Sequence, residues 1–280
     1  MGRLDLVWGR RGISDGRFIK PRAAAIDARQ RIYVVDRTAR IQMFDLDGRF
    51  LRGWRTPDSA LGRPEGLSVG RDGRILVADG HYQQVLIYSP EGELLERFGG
   101  QRGYEPGQFS LITDAVEDSQ GNLYVADYGE YDRIQKFDPH GRFLLQWGGH
   151  GSQPGQFRRP HNLALDRHGN IWVADACNHR IQAFDSRGRL ITVWGTRGTG
   201  PGQLYYPYDL TFAPDGTLFV VEYGNHRIQR FTPDGHSLGC WGRHGREEGE
   251  LCNPWAVVCD NEGRIYVVDT DNDRIQRVKL

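Results

Sequence analysis

Short runs of apolar and β-branched residues recur along the whole chain, and each run ends in an acidic residue. The six runs read RIYVVD, RILVAD, NLYVAD, NIWVAD, TLFVVE and RIYVVD. After each acid come a short polar loop and a second strand-like run such as RIQKF or RIQAF. A fixed period of a few tens of residues is typical of propellers and solenoids. The repeated acids are Asp36, Asp79, Asp127, Asp175, Glu222 and Asp269.

Each copy contains four strand-like runs separated by turn residues. In the fourth copy the runs cover residues 163–166, 171–174, 180–184 and 190–194, with glycine-containing turns between them. Four such strands form a small antiparallel sheet with two apolar faces, which is stable only when it packs against its neighbours. The pattern therefore predicts an all-β chain of six blades arranged in a ring.

The two ends of the chain predict how this ring closes. The sixth copy has a third run beginning at Arg274 but no fourth run, whereas residues 4–9 match residues 190–195 of the fourth copy. The N-terminal segment would therefore supply the missing strand, so that no sheet edge is left open there. We predict a six-bladed β-propeller of four-stranded antiparallel blades, the last one closed by the N-terminal strand, with residues 1–280 as a single domain.

Composition and charge argue against several classes of protein. The 280 residues include 36 Lys and Arg and 36 Asp and Glu, so the chain lacks the excess of positive charge typical of nucleic-acid binding. The longest apolar run, residues 255–259, is far shorter than the roughly 20 residues of a membrane-spanning helix, and no apolar signal segment stands near residue 1. We expect a soluble monomer without a membrane span, cytoplasmic as given, or exported if a signal or anchor has been removed.

Several motifs resemble NHL repeats. These are PGQF at residues 106–109 and 154–157, PGQL at 201–204, the V-A-D strand ends, and NHRI at 178–181 and 225–228. The resemblance covers essentially the whole chain and implies a six-bladed β-propeller, in agreement with the periodicity. Because this fold hosts enzymes, sensor domains and protein- or RNA-binding platforms, the function has to be argued from the site.

Residues that recur in every copy are expected to support the blades. We interpret the repeated acid and the Arg that follows it as a structural pair, and the Gln of RIQ as a packing residue. The aromatic residue of each fourth strand is interpreted in the same way. These aromatic residues are Trp8, Trp54, Phe98, Trp147, Trp194 and Trp241.

Functional residues are expected where equivalent positions differ. The innermost strands of all six blades begin at the mouth of the central channel, and a concave mouth with polar and aromatic groups is the default place for a ligand. The loops after the repeated acids add further aromatic residues. The predicted ligand-binding residues are Arg22, Glu65, Tyr82, Tyr128, His161, Tyr208, Tyr223 and Trp255.

A metal ion in the channel is the alternative. Pro160-His161 resembles a motif of α-amidating lyases, NHL-type propellers whose zinc is held by three His, but this ring has one His. Ca²⁺ prefers oxygen ligands. A set of oxygen ligands near the ring axis would resemble the metal site of a lactonase of the senescence-marker type. The sequence predicts no definite cofactor, and a Ca²⁺ or Zn²⁺ ion in the central channel is the alternative. The candidate ligands are Glu65, Asp114, His161, Asn162 and Asp209.

A simpler interpretation of three of these ligands is structural. Asp114, Asn162 and Asp209 would accept hydrogen bonds from strand-end amides around the channel, and Glu65 stands one register position away, on the opposite face of its strand.

We therefore expect a non-catalytic propeller that binds a protein, a peptide or a small molecule at the channel mouth. Tyr, Trp and Arg are the residue types enriched in such interfaces. A metal-dependent lyase or lactone hydrolase is the alternative. Single-stranded RNA binding is the second alternative, and it is disfavoured because Lys20, Lys136 and Lys279 are the only lysines.

Overall fold

A ring of six small sheets makes up the protein. The computed structural model describes residues 2–60 and 62–279, and in this part of the chain 24 strands form six four-stranded antiparallel sheets. The first strand, β1 (Arg3–Trp8), belongs to the last sheet. The other sheets each consist of four consecutive strands, as the repeat predicts.

Blades 1 to 3 follow one another along the chain. Blade 1 contains β2 (Pro21–Ile26), β3 (Ile32–Asp36), β4 (Arg40–Phe44) and β5 (Phe50–Arg55). Blade 2 contains β6 (Gly66–Val69), β7 (Ile75–Asp79), β8 (Gln84–Tyr88) and β9 (Leu94–Gly99). Blade 3 contains β10 (Leu111–Glu117), β11 (Leu123–Tyr128), β12 (Arg133–Phe137) and β13 (Phe143–Gly148).

Blades 4 to 6 complete the ring. Blade 4 contains β14 (Pro160–Leu165), β15 (Ile171–Asp175), β16 (Arg180–Phe184) and β17 (Leu190–Trp194). Blade 5 contains β18 (Pro207–Phe212), β19 (Leu218–Glu222), β20 (Arg227–Phe231) and β21 (Ser237–Trp241). Blade 6 contains β22 (Ala256–Cys259), β23 (Arg264–Asp269), β24 (Arg274–Lys279) and β1.

Helical structure is confined to single turns. The 3-10 turns are Arg71–Gly73, Gly80–Tyr82, Ala176–Asn178 and Thr270–Asn272. Across residues 2–60 and 62–279, none of these helical segments has the length or apolar character needed to cross a membrane.

The N-terminal strand closes the last blade, as predicted. β1 pairs antiparallel with β24, in a register that runs from Arg3 opposite Lys279 to Trp8 opposite Ile275. The side chain of Arg277 donates to Asp5 across this pair, at 2.8 Å. The two ends of the chain are therefore held in one sheet.

Apolar clusters lie between neighbouring blades rather than inside any one of them. The cluster between blades 6 and 1, for example, combines Ile32 and Val34 with Tyr266 and Val268, all of them fully buried. Burial of apolar area is the main favourable contribution to folding, so each blade depends on the next one for its stability.

The repeated acids have the structural role that the sequence predicts. In blade 4, Asp175 accepts the amide of Arg158 at 2.8 Å and the Nε–H of Arg180 at 2.7 Å. Blade 2 carries Gln84 at the arginine position, and its amide donates to Asp79 at 3.1 Å. Burial raises the pKa of Asp79 to about 6. In blade 4 the contacts of Asp175 join the end of the second strand to the segment before the inner strand and to the third strand.

The fourth-strand aromatic residues are also structural. The Trp194 ring of blade 4 lies against the hairpin turn of blade 5 at Gly235, where an added Cβ would approach Trp194 Cγ to 2.6 Å. Trp8 packs in the same way on Gly48 of blade 1. Each of these aromatic side chains therefore joins its blade to the following one.

Candidate ligand-binding site at the channel mouth

The inner strands bring most of the predicted site residues to one cavity. The starts of these strands surround a small cavity of about 20 Å³ at the centre of the ring, with room for about one water molecule. Arg22, Glu65, His161, Tyr208 and Trp255 all line it. Five different blades contribute these residues, so the ring itself, rather than any one blade, builds the site.

One side of the mouth is an aromatic wall, which we define as His161, Tyr208, Tyr223 and Trp255. The His161 and Tyr208 rings stack with centroids 4.1 Å apart, and Tyr223 stacks on the other face of Tyr208 at 4.5 Å. Trp255 meets Tyr208 edge to face at 5.0 Å. Stacked and edge-to-face rings hold one another in place, so the aromatic wall is a rigid surface.

His161 offers an unused acceptor to the cavity. Its Nδ1 lies 2.7 Å from the main-chain oxygen of Tyr208, which can only accept, so Nδ1 carries the proton. Nε2 is buried and has no hydrogen-bond partner among the described residues. Burial, together with the nearby Arg159 guanidinium, lowers the pKa of His161 well below 6.5. The imidazole is therefore neutral near pH 7.

A charged pair adjoins the aromatic wall at Trp255. Arg22 forms an ion pair with Glu65 at 3.1 Å, and its guanidinium lies 5.0 Å from the Trp255 ring centroid. Burial lowers the pKa of Arg22; Glu65 opposes this change, and neighbouring arginines, including Arg159, add to it. The arginines of the mouth therefore lie close enough to repel one another.

Arg159 belongs to the site although the sequence did not single it out. Its guanidinium lies 5.2 and 5.1 Å from the ring centroids of Tyr128 and Tyr208, so it contacts the aromatic wall without lining the cavity itself. Arg159 has a positive φ of 60°, and its amide donates to Asp132 at 3.2 Å. The position before Pro160 was the signal that could have found it, because the equivalent Lys20 of blade 1 lines the recess beside the mouth.

Three of the predicted tyrosines lie outside the cavity lining. Tyr223 stacks on Tyr208 and lines the recess beside the mouth. Tyr128 contacts the site through Arg159, as described above. Tyr82 is half-buried in the Gly80–Tyr82 turn of blade 2, outside the residues that line this cavity.

A belt of three polar side chains lies one residue further along the inner strands. Asp114 accepts the amide of Leu163 at 3.0 Å, Asn162 accepts that of Leu210 at 3.1 Å, and Asp209 accepts that of Val257 at 2.9 Å. Each side chain thereby joins its inner strand to that of the next blade. This geometry agrees with the structural interpretation of the three residues.

The belt carboxyls are deeply buried. Burial raises the pKa of Asp114 to about 7. Burial also raises the pKa of Asp209 well above its usual range, and the Asp114 carboxyl adds to this shift. Asp114 Oδ1 has no hydrogen-bond partner among the described residues.

The candidate metal ligands are not gathered into one set. Glu65 is paired with Arg22, His161 is bonded to a carbonyl, and Asn162 bridges Asp114 and Leu210. Within residues 2–60 and 62–279, no group of three His, Cys, Asp or Glu side chains is placed to hold a metal ion. Calcium or zinc in the channel stays a prediction.

The mouth continues into a second recess between blades 6 and 1. A space of about 100 Å³ there is lined by Lys20, Arg37 and Asp271 together with Arg22 and Trp255 of the mouth. Lys20 and Asp271 form an ion pair at 2.9 Å. The positive side chains therefore extend from the channel axis toward the rim.

The repeat family follows from these elements. The model of the NHL repeat matches residues 157–184, 204–231 and 251–278, which contain the first three strands of blades 4, 5 and 6. The chain belongs to the NHL-repeat family. It is a six-bladed NHL propeller, as the motifs predict.

Similar proteins include two monooxygenases and Protein brain tumor. Peptidyl-glycine alpha-amidating monooxygenase B of Xenopus laevis is 39% identical over 90 residues, 30% of this chain, and the mouse enzyme is 43% identical over 94 residues, 32% of this chain. The match covers 10% of the length of each enzyme. Protein brain tumor of Drosophila melanogaster is 29% identical over 147 residues, which are 50% of this chain and 14% of that protein.

Solved structures confirm the fold. A streptogramin B lyase covers 100% of this chain, with 98% of its own chain aligned, at 15% identity and a TM-score of 0.69. Virginiamycin B lyase from Staphylococcus aureus covers 100% of both chains at 15% identity and a TM-score of 0.67. At this level of identity the likeness concerns the propeller fold alone.

Proposed function

We propose that this NHL propeller is a non-catalytic binding platform whose ligand, a protein segment, a peptide or a small molecule, docks on the aromatic wall. The observation that carries the proposal is a pair of unused polar atoms on that wall. His161 Nε2 and Trp255 Nε1 are buried without hydrogen-bond partners among the described residues, and both residues line the cavity. Buried polar atoms normally have partners.

A ligand would supply the missing partners. Leaving a buried donor or acceptor unsatisfied costs about 1–3 kcal/mol, so a ligand group that bonds to either atom gains that amount on binding. The rings around these atoms are already fixed by stacking, so little side-chain ordering has to accompany binding. Preorganised Trp, Tyr and Arg residues are the usual anchors of protein and peptide interfaces.

The dimensions of the mouth favour a ligand that docks on its surface. The central cavity of about 20 Å³ has room for about one water molecule, and His161 and Tyr208 are only 4% and 6% exposed. The ligand would therefore lie over the aromatic wall and in the recess of about 100 Å³ toward Lys20 and Arg37. The names of the amidating relatives refer to a peptidyl-glycine, and this supports a peptide-like ligand.

A lyase is the second candidate, and His161 favours it. A neutral imidazole with a free Nε2 can accept a proton from a bound substrate. If the protein is a lyase, His161→Gln should abolish product formation from a hydroxyglycine peptide or a lactone while leaving binding measurable. If it is a binding platform, purified wild-type protein should form no product from either compound.

A thermal-shift screen tests the binding proposal without a known ligand. We expect compounds and dipeptides that raise the melting temperature of the wild-type protein to have no effect on Trp255→Ala. Leu238→Ala, on the exposed outer strand of blade 5, is the matched control and should respond as wild type does. Hits that stabilise Trp255→Ala as strongly as wild type would place binding elsewhere and contradict the proposal.

A further inference from the structure

We propose that Arg159 anchors an oxyanion subsite, so that the ligand presents a carboxylate or a phosphate to the channel mouth. This inference rests on the proposed binding function and names the chemical group that the mouth recognises. The geometry behind it is a guanidinium close to two tyrosine rings, whose side chain forms no ion pair within residues 2–60 and 62–279.

Ring contacts and main-chain hydrogen bonds hold Arg159 in position. Its guanidinium lies 5.2 and 5.1 Å from the ring centroids of Tyr128 and Tyr208. Its main-chain oxygen accepts the amide of Ala176 at 3.1 Å, and its amide donates to the buried Asp132. A guanidinium fixed in this way loses little conformational entropy when it binds an anion.

The hydrogen-bonding capacity of this guanidinium is unused. Within residues 2–60 and 62–279, the Arg159 side chain makes no hydrogen bond or ion pair, and its Nε is buried without a partner. The equivalent residue of blade 2 differs, because Arg63 donates to the main-chain oxygen of Gly62 at 2.8 Å. A partly buried cation without a partner is costly, and an anionic ligand would remove that cost.

The surrounding charges favour an anion as well. Burial lowers the pKa of Arg22, and the charges of Arg37, Arg159 and Arg63 lower it further. Glu65 is already paired with Arg22, and Asp271 in the recess is paired with Lys20. The cationic groups therefore outnumber these two carboxylates, which favours an anionic ligand.

His161 adds a second requirement on the ligand. Its free Nε2 is an acceptor close enough to Arg159 and Arg22 for both to act on its charge state. A ligand that satisfies the whole mouth therefore has anionic oxygens next to an N–H or O–H donor. A peptide C-terminus, with its last amide and its carboxylate, and a phosphate group carrying one proton both meet this description.

Three small probes test the inference directly. Hippurate carries a carboxylate, an amide N–H and a ring; phenyl phosphate carries a phosphate and a ring; hippuramide is the neutral analogue of hippurate. We expect hippurate or phenyl phosphate to bind by titration calorimetry at low ionic strength, and hippuramide to bind at least about tenfold more weakly, because hydrogen bonds to charged groups are the strong ones. Hippurate binding points to a carboxylate ligand, and phenyl phosphate binding points to a phosphate.

Two adjacent arginines supply a matched pair of variants. Arg159→Gln should weaken binding of the anion at least about tenfold, and Arg159→Lys should recover only part of it, since an ammonium group cannot form the planar, bidentate contact. Arg158→Gln removes the same charge from the neighbouring exposed residue and should change affinity less than about threefold. Melting temperatures of all variants check that the ring remains folded.

Three results would overturn the inference. They are the absence of saturable binding by either anion, equal binding of hippurate and hippuramide, and equal losses in Arg158→Gln and Arg159→Gln. The proposed binding function fails separately, when compounds found by thermal shift still bind Trp255→Ala. If those compounds lose binding in Trp255→Ala but keep it in Arg159→Gln, the platform stands and the oxyanion subsite is wrong.

Discussion

The imidazole of His161 lies parallel to the Tyr208 ring, at 4.1 Å and 11°, while its Nδ1 bonds to the main-chain oxygen of the same tyrosine. This pair links the inner strands of blades 4 and 5 and fixes the orientation of both rings. It also determines which nitrogen remains free. The aromatic wall therefore presents a neutral acceptor next to cationic side chains.

Neutrality of His161 makes part of the protein's stability depend on pH. Burial lowers its pKa well below the unfolded value of 6.5, so its contribution is fully present above pH 6.5 and is lost as pH falls. We expect wild type to lose about 1–2 kcal/mol relative to His161→Asn between pH 7.5 and pH 5. Urea denaturation at both values measures this, and a difference that does not change with pH would contradict it.

Asp114 should show the opposite dependence. Burial raises its pKa to about 7, above the unfolded value, so its contribution is present at low pH and is lost as pH rises toward 7. Between pH 5 and pH 8 we expect wild type to lose about 2 kcal/mol relative to Asp114→Asn.

A turn carboxylate provides the control for Asp114. Hydrogen bonds from Trp172 and Asn170 help to hold the pKa of Asp166 below its usual range, against the effect of burial. Wild type should therefore lose stability relative to Asp166→Asn as pH falls below about 4. An Asp114→Asn difference that stays constant from pH 5 to pH 8 would show that the Asp114 carboxyl is already ionised in the folded ring.

Packing between blades can be tested with two glycines of similar conformation. Gly235 has φ +90°, and an added Cβ would lie 2.6 Å from Trp194 Cγ, whereas Gly216 has φ +83° and nothing within 4 Å. Gly216→Ala should cost about 1–2 kcal/mol from the left-handed backbone alone. Gly235→Ala should cost about 1–3 kcal/mol more, because the tryptophan must shift. Equal free energies of unfolding would mean that Trp194 does not pack on this turn.

Ring closure depends on Trp8 of the N-terminal strand. Its ring lies 6.0 Å from that of Tyr266 in blade 6 and 6.3 Å from that of Phe44 in blade 1. Because Trp8 is partly buried against this cluster, we expect Trp8→Ala to lower the free energy of unfolding by about 2–3 kcal/mol, less than truncation of a fully buried Trp. Ile13→Ala, at a residue that is 66% exposed, should change it by less than about 0.5 kcal/mol. Similar values for the two variants would mean that β1 does not hold the ring.

The fold was predictable because the same four-strand pattern recurs in each copy of the repeat, and the N-terminal segment matches the strand that the sixth copy lacks. Residues 4–9 copy the fourth strand of another blade, which predicts the pairing of β1 with β24. Comparing equivalent positions also found Arg22, Glu65, His161, Tyr208 and Trp255 at one cavity. Positions on regular strands have fixed directions, so a repeat transfers them reliably.

Arg159 and Arg37 were harder to predict than the Arg22–Glu65 pair, because both lie in connections between strands. Arg159 adopts a left-handed conformation directly before a proline, as do the equivalent Lys20, Tyr206 and Asn253, although this conformation is uncommon for residues other than glycine. Arg37 lies in the loop after Asp36, at the position that holds Tyr128 and Tyr223 in other blades. The direction of such side chains depends on contacts between blades, which one repeat does not encode.

Crystals soaked with a fragment library give the most direct test of the channel mouth as the binding site, because they show where ligands dock without any assumption about their identity. The structure predicts that bound fragments cluster against Tyr208, Tyr223 and Trp255, with acidic fragments placing their oxygens at Arg159. Fragments that gather on the outer strands or on the opposite face, with none at this mouth, would contradict the account.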